Sequence, residues 1–269
     1  MNSINFTQNT DAQIGQAIES NMLGHMSYFA NHLPGMEVLD RPDMLIINSR
    51  LPSDTFNYVC RLNFTESEID LSLKFALNYF QQQQLPASWW IGVNSKLTNL
   101  TEHLAKHGLK QVEEAAGMAM NLNQLPAKSS LPAGLEIKPV TNINEIEHYA
   151  NIIATCWNPS DPNVIKFYQQ AAAIAFRPES PFRFYLGYLE NQPVATGELC
   201  LSGGVAGIYG LVTLEKYRKM GIGTAMTFTV LSHAKNLGYQ TAILQASEDG
   251  KSIYSRLGFR QFSNFLIYQ

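Results

Sequence analysis

Arg218-Lys219-Met220-Gly221-Ile222-Gly223 is the stretch on which the reading of this chain turns. An apolar, strand-like run, Gly207 to Thr213, precedes it, and a helix-like run, Thr224 to Leu237, follows. Two glycines let a backbone approach a ligand closely. The first-turn N–H groups of a helix lack intrahelical partners, and the helix dipole favours an anion there. Alone, the stretch reads either as a phosphate-binding turn between a strand and a helix or as an ordinary loop–helix junction. Two other glycine motifs are excluded. A dinucleotide fingerprint needs a third glycine where Met226 stands and an acidic residue near Leu244 or Gln245. A nucleotide P-loop needs Gly-Lys-Ser/Thr, and that tripeptide does not occur.

Downstream, Gln240 to Ser247 reads as another strand and Gly250 to Leu257 as a short helix, followed by Gly258-Phe259. Within it lies Tyr254-Ser255-Arg256-Leu257-Gly258-Phe259. From about Phe182 to its end the chain resembles the GNAT superfamily of acetyl-CoA-dependent N-acetyltransferases. The R-x-x-G-x-G loop and the Y-x-x-L-G-F segment match that family's two most recognisable motifs, in order and at a typical separation. The upstream pattern agrees. Arg183 to Leu189 and Val194 to Leu201 read as strands joined by the turn Glu190-Asn191-Gln192-Pro193, and Ser202-Gly203-Gly204 leads into Val205 to Thr213. Leu135 to Val140 reads as a first strand, with helices over Ile143 to Trp157 and Val164 to Phe176 separated at Asn158-Pro159. On the later helix Met226, Val230, Ala234 and Leu237 share one face with Leu231 beside them, and Gly238 stops it. That face is expected in the core.

At 269 residues the chain is about twice the length of one such domain. Leu125 to Gly134 has linker composition. Ahead of it, Trp89 to Val93 reads as a strand, Thr98 to His107 as a helix, then Gly108-Leu109 and a strand around Met118 to Leu122. This faintly repeats the C-terminal pattern. Aligning Gly108 with Gly258 puts Leu104 where Tyr254 stands, and nothing in the first half matches R-x-x-G-x-G. The expected fold class is α/β of the α+β type, the GNAT fold: a mixed, mostly antiparallel twisted sheet flanked by helices, present twice in tandem. Residues 1–125 are read as a degenerate GNAT-like domain without a cofactor site, 126–134 as linker and 135–269 as the catalytic domain. An unrelated α/β domain at the N-terminus is the competing reading.

The resemblance implies particular roles. Backbone groups of Leu211, Val212 and Thr213 would pair with the pantetheine arm of acetyl-CoA, one N–H polarising the thioester carbonyl. The N–H groups of Lys219, Met220, Gly221, Ile222, Gly223 and Thr224 would hold the diphosphate, with the Arg218 and Lys219 side chains adding charge. Ser247 stands where many relatives carry an Asn that touches the cofactor. Tyr254 matches the general acid that protonates the departing thiolate. The last strand before the phosphate turn contains no acid, so the base is less defined: Glu198, sharing a face with Val194, Thr196 and Cys200, is the nearest candidate, and water is the other. The implied partners are acetyl-CoA and a small amine-bearing metabolite. A protein or peptide amine, or an acyl-CoA sensor without catalysis, are the alternatives. Acceptor identity and oligomeric state are left open, because acceptor pockets are built from variable loops.

A net charge of −3 with no basic block argues against nucleic acid and anionic membranes. No apolar run nears the roughly 20 residues that span a bilayer, and the polar start Met1 to Asn5 is unlike a signal peptide. Cys60, Cys156 and Cys200 are odd in number and far apart, which suits free thiols in a cytoplasm. His103 and His107 have the spacing of a metal pair but lack a third ligand, so they are read as surface residues and no metal is expected. Trp89 and Trp90 are read as core or domain seam, and Gln81 to Gln84 as a solvated helix end.

Overall fold

The computed structural model describes residues 4–95, 99–126 and 131–269. Part of the linker (127–130) and the expected helix start at Thr98 lie outside these. In chain order the elements are α1 (Asp11–His32), β1 (Glu37–Asp40), β2 (Leu45–Asn48), β3 (Asn57–Cys60), α2 (Ile69–Gln81), β4 (Ser88–Ile91), α3 (Leu100–Lys106), β5 (Gln111–Asn121), β6 (Leu135–Pro139), α4 (Ile143–Ala154), α5 (Pro162–Ala175), β7 (Phe182–Leu189), β8 (Gln192–Ser202), β9 (Val205–Thr213), α6 (Ile222–Asn236), β10 (Thr241–Ala246), α7 (Glu248–Arg256) and β11 (Arg260–Tyr268). Contacts divide the chain into two compact units. One holds residues 1–10 and 119–244, the other 11–118 and 245–269. The last 25 residues thus cluster with the N-terminal half rather than with the phosphate turn.

In the first of these units the strand order is β10-β9-β8-β7-β6. The β6–β9 pairs are antiparallel, whereas β9 and β10 run parallel, at Ala206 with Ala242 and Gly207 with Ile243. Helices cover both faces, which is why β8 is buried without a break from Val194 to Cys200. Consecutive residues of β8 show the two sides. Gly197 lies under Met226 and Val230 of α6, while Glu198 meets Tyr149 of α4 and Tyr168 of α5. The helices start where side chains can satisfy their first N–H groups. Asn142 accepts from Glu145 N at 3.1 Å, with Glu145 reaching back to Thr141 N at 2.7 Å. Asp161 accepts from Asn163 N at 2.8 Å, ahead of Pro162 at the first helical position.

The other unit orders its strands β1-β2-β3-β4-β11-β5. The chain's final strand pairs antiparallel with β4, Leu266 opposite Ile91 and Tyr268 opposite Trp89. Period-two alternation divides β2 between two cores. Ile46 joins Leu73, Phe80, Trp89 and Leu104 beneath α2 and α3, while Leu45 and Ile47 pack with Ala30 of α1. α3 and α7 end in the same kind of turn. Gly108 (φ 86°) and Gly258 (φ 99°) end α3 and α7 in the left-handed conformation. Leu109 N donates to Leu104 O and Phe259 N to Tyr254 O, each at 3.1 Å.

Several boundaries differ from expectation. α4 ends at Ala154, short of Trp157, and α5 starts two residues early on its Asp161 cap. β5 begins at Gln111, seven residues before the apolar run, because its first four residues are exposed and carry a single apolar side chain, Val112. Leu237 is 46% exposed: it is the residue that ends α6 and lies beyond the helix's last buried turn. Trp89 is core, whereas Trp90 is only half-buried. Among the described residues no helix is long and apolar enough to cross a membrane.

α6 is seated directly on β8 at Gly197, where an added Cβ would stand 2.9 Å from Met226 Cγ and Sδ and 3.1 Å from a Val230 methyl. A branched side chain there has to push α6 away. Gly197→Val is therefore expected to lose about 1–3 kcal/mol of stability in urea denaturation. A loss below about 0.5 kcal/mol, the scatter of ordinary surface substitutions, would contradict this seating.

Candidate functional site

The connection from β9 to α6 leaves backbone donors free. Lys219 (φ 62°) and Gly221 (φ 78°) both take the left-handed conformation, so the chain coils tightly before the helix begins. Gly221 supplies that conformation without steric cost; for Lys219 it is strained. Gly221 is the N-cap of α6 and offers no side-chain acceptor, unlike Asn142, Asp161 and Ser247 at the starts of α4, α5 and α7. Ala225 N bonds Gly221 O at 3.0 Å; among the described residues no acceptor in the chain meets the N–H groups of residues 219–224. Arg218, Lys219, Met220, Gly221, Gly223 and Thr224 are exposed, and Ile222 points into the core. The turn is open to solvent, and its unpaired donors lie at the positive end of a 15-residue helix.

The end of β9 lies beside this turn. Arg218 Nε donates to Thr213 O at 3.2 Å, and the Cβ position of Gly223 is 3.5 Å from Thr213 Oγ1. Pairing to β10 within this unit stops at Gly207, while β9 runs on, half-exposed from Tyr209 to Thr213. Leu211, Val212 and Thr213 thus adjoin the residues expected to hold phosphate. The two groups of sequence-derived residues come together.

Glu198 proves to be enclosed. Its side chain faces inward beside Val194, Thr196 and Cys200, and the residue is only 2% exposed. Tyr149 Oη donates to Glu198 Oε2 at 2.9 Å and Tyr168 Oη to the same oxygen at 3.4 Å. The two phenol rings meet edge to face, with centroids 5.0 Å apart, and Phe184 closes the box at 5.1 Å from Tyr149 and 6.0 Å from Tyr168. Burial, and then the Glu198 carboxylate, push the Tyr149 phenol well above its ordinary pKa, so it remains a hydrogen-bond donor. Sequence reading missed Tyr149 and Tyr168, which look like ordinary core positions of amphipathic helices. A glutamate on an otherwise apolar strand face was the available signal, because a buried carboxylate needs donors.

Tyr254 and Ser247 belong to the other compact unit. Tyr254 sits on α7, half-buried, its ring edge-on to Phe259 at 5.9 Å. Burial raises its pKa. Ser247 caps α7, its hydroxyl accepting from Gly250 N at 3.4 Å, which leaves its O–H proton to donate elsewhere. In the same unit His103 Nδ1 and His107 Nε2 each lie 3.0 Å from one oxygen of the exposed Asp70, tying α3 to α2. Among the described residues no group of three or more His, Cys, Asp or Glu is arranged to hold a metal ion.

Residues 146–259 match the family model described as "Acetyltransferase (GNAT) family". No curated protein matches the chain by sequence. Solved structures resemble it along nearly its whole length. A GCN5-related N-acetyltransferase from Kribbella flavida superposes with a TM-score of 0.71 at 18% identity, covering 94% of each chain. One from Sphaerobacter thermophilus gives 0.60 at 14% identity, covering 97% of this chain and 93% of its own. A tandem GNAT protein from the clavulanic acid biosynthesis pathway gives 0.61 at 11% identity, covering 97% and 95%. At such identities the likeness is one of fold. That fold is the mixed α/β GNAT architecture expected from the sequence.

Proposed function

Because the chain carries an acetyltransferase domain of the GNAT family, we propose that it moves an acetyl group from acetyl-CoA to the primary amine of a small metabolite. The amine attacks directly while both substrates are bound. One observation carries this reading: the exposed start of α6, with left-handed Gly221 at its cap and its N–H groups met by no acceptor among the described residues, beside the end of β9. These N–H groups receive the CoA diphosphate, and Arg218 and Lys219 add screened positive charge. Leu211, Val212 and Thr213 offer their main chain to the pantetheine arm. One of their N–H groups faces the thioester oxygen as charge develops on it.

The amine nitrogen forms a bond to the thioester carbon, the carbon–sulfur bond breaks, and sulfur takes a proton. Tyr254 is the proposed donor of that proton. A phenol near pKa 10 giving its proton to a thiolate near 8.5 runs about 1.5 units uphill, roughly 2 kcal/mol. Burial of Tyr254 widens that gap. Proton transfer concerted with carbon–sulfur cleavage avoids releasing a free thiolate. The amine's own proton goes to water. Glu198 is the alternative acceptor, but its carboxylate is enclosed and already holds two phenols.

Residues 1–125 are proposed as the degenerate partner domain, followed by the linker 126–134 and the catalytic domain 135–269. In the first half, the approach to α2 carries Glu66, Glu68 and Asp70 and no glycine, a poor place for a phosphate. We assign the reaction to the cytoplasm, consistent with the free thiols Cys60, Cys156 and Cys200.

Thiol release measured over a panel of amines, with acetyl-CoA and longer acyl-CoAs, tests the proposal; absence of release with every amine would reduce the chain to an acyl-CoA binder. In the active enzyme Tyr254→Phe is expected to lower kcat by about 10²–10⁴-fold with little change in acetyl-CoA affinity. Unchanged turnover removes Tyr254 from the chemistry. With water as the base, kcat/KM rises with pH until the acceptor's own pKa, near 8 for an α-amine and near 10.4 for a lysine-like amine. A break that stays at one pH whichever amine is supplied would point instead to an enzyme group.

A further inference from the structure

We infer that Tyr149 is a positioning residue for acyl transfer: its hydroxyl, held by Glu198, sets the bulge of β9 at Gly210 and with it the aim of Leu211, Val212 and Thr213. This rests on the reading of those three residues as the acyl-donor edge and names what holds that edge in place.

The bulge is defined by the pairing between β8 and β9. Thr196 stands opposite Val212 and Glu198 opposite Tyr209, so Gly197 alone faces the two residues Gly210 and Leu211. Gly210 has φ 54°, the left-handed conformation of the first residue in a glycine bulge. An extra residue at this point shifts the alternation of everything that follows on the strand. It thereby decides which way each N–H of Leu211 to Thr213 is directed. Anything that holds the bulge also holds that direction.

Two groups hold it. From β8, Thr196 Oγ1 donates to Gly210 O at 2.7 Å. From α4, Tyr149 presses its hydroxyl against the Gly210 α-carbon. A Cβ on Gly210 would overlap Tyr149 Oη, with Cζ at 3.3 Å and Glu198 Cβ at 3.5 Å. The hydroxyl cannot retreat easily. It is hydrogen-bonded to Glu198 Oε2 at 2.9 Å, its ring is wedged by Tyr168 and Phe184, and Tyr149 has no exposed surface. Glycine at 210 is thus required twice, by its backbone conformation and by the phenol oxygen occupying the place of a side chain. Glu198 has a task that needs no access to the amine. It accepts the two hydroxyls and fixes the height of the Tyr149 strut.

The test is a double-mutant cycle on the full chain, reading kcat, both KM values, acetyl-CoA binding by calorimetry and the urea midpoint. Tyr149→Phe is expected to lower kcat by roughly tenfold to a hundredfold, the cost of a small misplacement, with the acceptor KM and the pH at which the rate breaks unchanged. Glu198→Gln, whose amide oxygen still accepts from Tyr149, stays within about tenfold of wild type; a general base would cost about 10²–10⁴-fold. Gly210→Ala is expected to lose more than Tyr149→Phe in both kcat and stability. Adding Tyr149→Phe to Gly210→Ala removes the overlapping oxygen and restores at least about tenfold in kcat and part of the urea midpoint, the reverse of independent losses. A double variant no better than Gly210→Ala, in a wild type that does bind acetyl-CoA, overturns the strut alone. Wild type that neither binds nor turns over acetyl-CoA overturns the reading of the edge, whatever the stability cycle gives. If Gly210→Ala does not fold, a soluble Gly210→Ala/Tyr149→Phe protein supports the strut, and a Tyr149→Phe enzyme with wild-type kcat refutes it.

Discussion

Main-chain N–H groups that begin a helix have no partner within it, and at the start of α6 the described residues supply none from elsewhere. Three other helices, α4, α5 and α7, close the same gap with Asn142, Asp161 and Ser247. α6 instead begins with a glycine at φ 78° and an exposed loop. Unsatisfied donors at a dipole's positive end cost free energy unless water or an anion meets them. The positions of β9, of the α6 seat on Gly197 and of Arg218 against Thr213 O all bear on how that donor set is presented. A helix that shifted on β8 would carry the donors with it.

The second constraint is a buried carboxylate. Glu198 lies on a strand covered on both faces, and an isolated charge there would be costly. Two phenols from two different helices meet its Oε2, so α4 and α5 are tied to β8 at one atom. The same contact reaches β9, because the Tyr149 hydroxyl takes the place of a side chain at Gly210. Donor turn and strand edge therefore share one support, the central pair β8 and β9. A buried polar group of this kind gives up some stability and gains a single register.

Much of the C-terminal half was legible because its signals are local. Short strand-like runs between turns marked β7, β8 and β9, glycine pairs marked the turns, and Gly221 with Gly223 marked the start of α6. The N-terminal half was not, for physical reasons. α1 buries Glu19 and Asn21 among its apolar residues, with Glu19 accepting from Asn94 N at 2.9 Å, and these polar positions erase the helical period. The strands β1 to β3 span four residues each, too few for alternation to register. Gln81 to Gln84 is a helix end, as expected. Yet Gln83 also accepts from Asn48 Nδ2 at 3.1 Å, a partner 35 positions away that no local pattern signals. Membership of β11 in the N-terminal unit's sheet is equally non-local. The candidate site divides the same way: the turn was readable residue by residue, whereas Tyr149 and Tyr168 gain their meaning only from Glu198 across the fold.

Amide hydrogen exchange across residues 218–224, with and without acetyl-CoA, tests the central claim most directly. Open first-turn donors exchange readily in the free protein, and a diphosphate bound to them slows exchange selectively from Lys219 to Thr224. Protection confined to that turn and the adjoining Leu211 to Thr213 is the predicted result. Saturating acetyl-CoA that leaves exchange in this turn unaltered would contradict the account.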